Sequence, residues 1–73
     1  MHTTEIEIRR PDARNLFGDP YWVWSNTRTN ARVLVADDGR VFVTGTDTSL
    51  NADDALALAT TLASAHAWLA EQK

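Results

Sequence analysis

The sequence predicts an α+β fold, in which an antiparallel meander of three to four strands packs against one long C-terminal helix in the order ββββα. Four short segments alternate in polarity or are rich in β-branched and aromatic residues, as strands are, at about residues 3–9, 21–25, 31–36 and 41–45. A fifth segment, at about residues 52–72, is rich in alanine and leucine and contains no glycine or proline, which is typical of a helix. The short connections favour pairing between consecutive strands in a single small domain, residues 1–73.

The first predicted strand alternates isoleucine with glutamate, so that Ile6 and Ile8 share its apolar face. Pro11 disfavours continuation of this strand within a sheet. A loop, with room for one helical turn, is expected from Pro11 to Phe17, and Leu16 and Phe17 are expected to lie against the edge of the core.

The remaining strands carry apolar residues on both faces. Trp22 and Trp24 share one face of the second strand, and in the fourth strand Phe42 points away from Val41 and Val43. The strongest turn signal is Asp37-Asp38-Gly39, since glycine supplies the positive φ that such hairpins require. Because one helix covers only one face of a sheet, the other face is expected to expose an apolar patch, which on a small protein indicates an interface.

The predicted helix begins after Asn51, whose side chain can accept a hydrogen bond from a free backbone N–H of the first turn. One apolar stripe is expected to cover the sheet, and it consists of Leu58, Leu62, Ala65 and Leu69. From Ala55 to Ala70 the helix carries no charged residue, although solvent-facing helix surfaces usually do. Either the opposite side is an exposed alanine-rich face, or a second chain packs on it.

These features predict a non-enzymatic protein–protein interaction module that forms a homodimer and binds another, unidentified protein. Tryptophans on a small sheet are most often core residues or interface anchors. The candidate interface residues are Trp22, Trp24, Phe42, Ala63, Ala67 and Trp68.

The alternative is a protein that binds single-stranded nucleic acid. Aromatic residues interleaved with arginines on a sheet can stack unpaired bases, and Trp22, Trp24, Arg28 and Arg32 form such a set. The net charge of −3 argues against this alternative, because acidic residues balance the few arginines that could follow a phosphate backbone.

The sequence contains no pattern typical of a catalytic, metal or cofactor site. It has no cysteine, and its two histidines, His2 and His66, lie far apart in the chain. The acidic residues near the turns lack the spacing of a calcium loop. The N-terminus has no apolar segment of the kind found in signal peptides, so we expect a cytoplasmic protein with no membrane segment and no small-molecule substrate.

The C-terminal part contains the segment Val41-Phe-Val-Thr-Gly, followed by Ser49-Leu-Asn-Ala-Asp-Asp-Ala-Leu-Ala-Leu-Ala. This strand and capped helix are similar to the ending of many small uncharacterised proteins of actinobacteria and their phages. The excess of arginine over lysine indicates a GC-rich genome, which agrees with that source. The resemblance implies no activity and no functional residue. In a phage setting, the expected interaction module would be an accessory or host-modulating factor.

Overall fold

A computed structural model describes residues 6–72 and has the predicted order of elements. Four strands are followed by one helix: β1 (Ala13–Arg14), β2 (Pro20–Val23), β3 (Arg32–Val35), β4 (Val41–Thr44) and α1 (Ala52–Glu71). The strands form one antiparallel sheet in the order β1-β2-β3-β4, so each strand pairs with its neighbour in sequence. The predicted α+β meander is confirmed, and β2, β3, β4 and the helix lie within two residues of their predicted bounds.

The prediction for the first strand was wrong. Residues 6–10 are not a strand, and residues 3–5 of the predicted range lie outside the described residues. The backbone N–H of Arg9 donates to Ser64 Oγ at 2.9 Å, and its C=O accepts from Trp22 Nε1 at 3.1 Å. Because side chains occupy these backbone groups, the segment runs beside the helix instead of joining the sheet. The first strand is β1, which lies within the predicted loop.

The core lies between the helix and the face of the sheet that carries Trp22, Val33 and Val35. Trp22 pairs with Val33 across β2 and β3, so the two side chains point to the same face. Ala65 of the helix is buried against them, and three partly buried residues of the helix complete the cluster: Leu58, Trp68 and Leu69. This assigns the helix-covered face of the sheet, which the sequence alone left open.

The helix is rotated from the expected orientation. Thr61 and Ser64 are fully buried, whereas Leu62 of the predicted apolar stripe is 38% exposed. The two hydroxyls donate to the backbone C=O groups one turn earlier, Thr61 to Ala57 at 2.8 Å and Ser64 to Thr60 at 2.9 Å. These polar side chains can therefore be buried at a low cost in free energy, because their hydrogen bonds are satisfied within the helix. Arg9 completes the arrangement by donating from Nη2 to Thr61 Oγ1 at 3.3 Å.

The helix begins as predicted. The Asn51 side chain accepts from the backbone N–H of Asp54 at 2.8 Å. Arg28 binds the same end of the helix: it lies 3.5 Å from the Asp54 carboxylate and donates to the C=O of Ser49 at 2.9 Å and to the Thr48 hydroxyl. No helix within residues 6–72 is long and apolar enough to cross a membrane.

Candidate protein-binding surface

Trp22 and Trp24 do not lie on a free surface. Both are buried under the helix, and their indole nitrogens donate to backbone C=O groups, Trp22 to Arg9 at 3.1 Å and Trp24 to Thr44 at 2.9 Å. Their prediction as interface residues was wrong, because the helix covers the sheet face to which they point. Their size explains how a chain this short builds a core, since each aromatic side chain contributes a large buried area.

The helix residues of the predicted interface are half-buried. The ring of Trp68 lies edge-on to that of Trp22, with centroids 6.5 Å apart, and the guanidinium of Arg14 lies 5.4 Å from its centroid. Ala67 lines a groove between the helix and the segment Ile8–Arg10. Ala63 is half-buried as well, so the uncharged helix face is neither fully open nor part of the core.

The sheet face opposite the helix exposes an apolar row. Three residues lie directly across from one another on β2, β3 and β4: Tyr21, Leu34 and Phe42. We call them the aromatic row, after the aromatic residues at its two ends. Phe42 is 52% exposed, and the other two side chains are half-buried. None of the elements between residues 6 and 72 covers this face. Phe42 is therefore the one residue of the predicted interface that the fold presents openly on the sheet.

The predicted nucleic-acid-binding set is dispersed by the fold. Its two tryptophans are buried, so neither can stack on a base. Arg28 binds the start of the helix, and its guanidinium carbon lies 6.0 Å from the Trp24 ring centroid. Arg32 lies on the exposed sheet face, 5.0 Å from the centroid of Tyr21. Only Arg32 is therefore placed where a base could reach it.

A second exposed apolar feature lies at the turn between β1 and β2. Leu16 and Phe17 are 102% and 89% exposed, which contradicts their expected burial. Their turn is well hydrogen-bonded, since the Asn15 side chain accepts from the backbone N–H groups of Phe17 at 2.9 Å and Asp19 at 3.0 Å. Gly18 closes the turn with φ +85°. The spacing of Asn15 and Gly18 is a turn signal that the sequence analysis missed, and it places the intervening residues outward.

Within residues 6–72, no three histidine, aspartate or glutamate side chains lie close enough to share a metal ion. Asp38 stabilises the β3–β4 turn, because its side chain accepts from the backbone N–H of Arg40 at 3.0 Å.

Comparison of the chain with protein-family models, with curated protein sequences and with solved structures returns no match.

Proposed function

We propose that the chain is a non-enzymatic protein–protein interaction module of a bacterium or phage, which self-associates and binds a second protein in an accessory or host-modulating role. The observation that carries this proposal is the aromatic row on the uncovered face of the sheet. Aromatic side chains are enriched at protein interfaces because they bury a large area at a low cost in conformational entropy.

The exposed turn between β1 and β2 is a second apolar surface that a protein could bury. Leu16 and Phe17 project from a turn whose backbone is fixed by Asn15, so little entropy is lost when they become buried. Exposed apolar side chains of this kind suit a protein partner, whereas a highly charged partner such as nucleic acid would find only Arg32 among the four predicted residues. The geometry thus favours a protein as partner.

The test is affinity capture from a lysate of the source cell, with the wild-type chain and two variants as bait. Phe42→Lys places a charge in the aromatic row, and Leu56→Lys places the same charge on a similarly exposed apolar residue of the helix. We expect Leu56→Lys to retain a partner that Phe42→Lys loses. If both variants retain the same proteins, the aromatic row is not the binding surface.

A further inference from the structure

Among residues 6–72, no strand pairs with the outer edge of β4, so this edge is open to another strand. All four of its residues are exposed, and it contains no proline and no charged residue. Natural proteins usually protect such an edge with charges, proline or a very short strand. The opposite edge is protected in this way, since β1 has only two residues and lies beside Pro11 and Asp12.

The free backbone groups of β4 can be identified from the hairpin that precedes it. Ala36 donates to Arg40 across the turn at 2.9 Å, so these two residues form a hydrogen-bonded pair. Hydrogen-bonded and non-hydrogen-bonded pairs alternate along an antiparallel ladder. The pairs Val35–Val41 and Val33–Val43 are therefore not hydrogen-bonded, and the pair between them, Leu34–Phe42, is hydrogen-bonded. The N–H and C=O groups of Val41 and Val43 therefore point away from β3, toward the free edge.

We infer that β4 pairs antiparallel with β4 of a second copy of this chain, with Phe42 opposite its symmetry mate and Val41 opposite Val43. In this register the outward groups of both valines make four backbone hydrogen bonds, and the two sheets become one sheet of eight strands. Apolar side chains meet on both faces, the valines on the helix side and the phenylalanines on the other. A shift by two residues would place Phe42 opposite Thr44 and lose most of these contacts.

The exposure of two valines of β4 supports this arrangement. Val41 and Val43 are 38% and 37% exposed, although they lie on the same sheet face as the buried Val33 and Val35. A second copy would cover them.

The inference rests on the proposed self-association and specifies its interface. Pairing at β4 would also join the two aromatic rows at Phe42, so that one apolar surface crosses the whole dimer. Because a strand of four residues forms a small interface, the dimer is expected to be weak, with a dissociation constant of about micromolar or above.

The first test compares Val43→Pro with Val43→Ala by sedimentation velocity over a range from micromolar to millimolar protein. Both variants lose the valine side chain, and only proline removes the outward N–H. Since that N–H has no partner among residues 6–72, the fold should tolerate the change. We expect the dimer dissociation constant of Val43→Pro to be at least about tenfold higher than that of Val43→Ala. Equal self-association of the two variants would overturn the pairing.

The second test does not depend on the fold of the proline variant. The chain contains no cysteine, so Phe42→Cys carries a single thiol. Opposite residues of a non-hydrogen-bonded pair have Cα atoms about 4.5 Å apart, which lies within the range of a disulfide. Under mild oxidation we expect Phe42→Cys to form a covalent dimer at least about tenfold faster than the exposed control Leu56→Cys. Equal rates for the two variants would overturn the register.

Failure of the β4 pairing can be distinguished from failure of self-association. If the wild-type chain is a dimer and neither variant of β4 behaves as expected, self-association stands and its interface lies elsewhere. If the wild-type chain is a monomer at millimolar concentration, both self-association and β4 pairing are wrong. Partner capture by the aromatic row is measured separately, and a monomer can still bind the partner through one row, although more weakly than a dimer would through two.

Discussion

The clearest consequence of the fold is that Trp22 and Phe42, both predicted interface residues, should respond to truncation in opposite ways. Trp22 is fully buried and its indole N–H donates to the C=O of Arg9, whereas Phe42 is 52% exposed on the uncovered face. Trp22→Ala should therefore damage the fold. Phe42→Ala should leave the fold intact and weaken association.

The expected magnitudes are well separated. A buried tryptophan truncated to alanine costs about 3–5 kcal/mol, and the loss of the hydrogen bond to Arg9 adds about 1 kcal/mol. A phenylalanine that is about half buried contributes about 1 kcal/mol, because full burial of this side chain is worth about 1.5–3 kcal/mol. At about 0.05–0.15 kcal/mol per residue, a chain of 73 residues has a total stability of about 4–11 kcal/mol. Trp22→Ala removes a large part of that stability.

The assay is urea and thermal unfolding followed by far-ultraviolet circular dichroism, which does not depend on tryptophan fluorescence. Phe42→Ala should lower the midpoint of thermal unfolding by about 4–8 °C, since about 1 kcal/mol shifts a domain of this size by that amount. Trp22→Phe serves as the milder core variant if Trp22→Ala is unfolded. The reasoning would be refuted if Trp22→Phe were less destabilising than Phe42→Ala, because the tryptophan could then not be the centre of the core.

Three further variants test local features of the fold. Gly45→Ala should destabilise by more than Gly18→Ala in urea unfolding: both glycines have positive φ, but only at Gly45 would an added Cβ lie 2.8 Å from a backbone atom. Asn51→Ala should lower the free energy of unfolding by about 1 kcal/mol in the same assay through loss of the helix cap, and an unchanged value would contradict the observed cap. Ser64→Ala removes the acceptor of the Arg9 amide, so hydrogen exchange at that amide should accelerate while the amides of β3 keep their protection.

Local sequence rules were sufficient for most of the fold. The alternation in β3 and β4, the glycine of their turn and the Asn51 cap each depend on residues within a few positions of one another, and all are found as predicted. The first strand failed because its pattern is equally compatible with an extended segment outside the sheet. What decides between them is a pair of long-range hydrogen bonds from Arg9 to Ser64 and Trp22, and no local rule contains this information.

The helix shows a second limit of pattern analysis. Hydrophobicity favours Leu62 as a buried residue, yet the structure buries Thr61 and Ser64 and leaves Leu62 partly exposed. Small hydroxyl side chains that bond within the helix allow the segment around Arg9 to approach closely, which a leucine at the same place would prevent. The same rotation turns Leu62 toward solvent. The error about Trp22 and Trp24 has a related cause, since the sequence does not show which sheet face the helix covers.

The position of the aromatic row links the two proposed interactions. The row runs across β2, β3 and β4 and ends at Phe42, which lies on the edge where a second copy would pair. A partner that contacts both rows of a dimer gains contacts that a monomer cannot offer, so it binds the dimer more tightly. By linkage, such a partner must strengthen dimerisation by the same factor as the dimer strengthens partner binding. A weak dimer at β4 would then be sufficient for the proposed function, because the partner would supply the free energy that the four residues of β4 cannot.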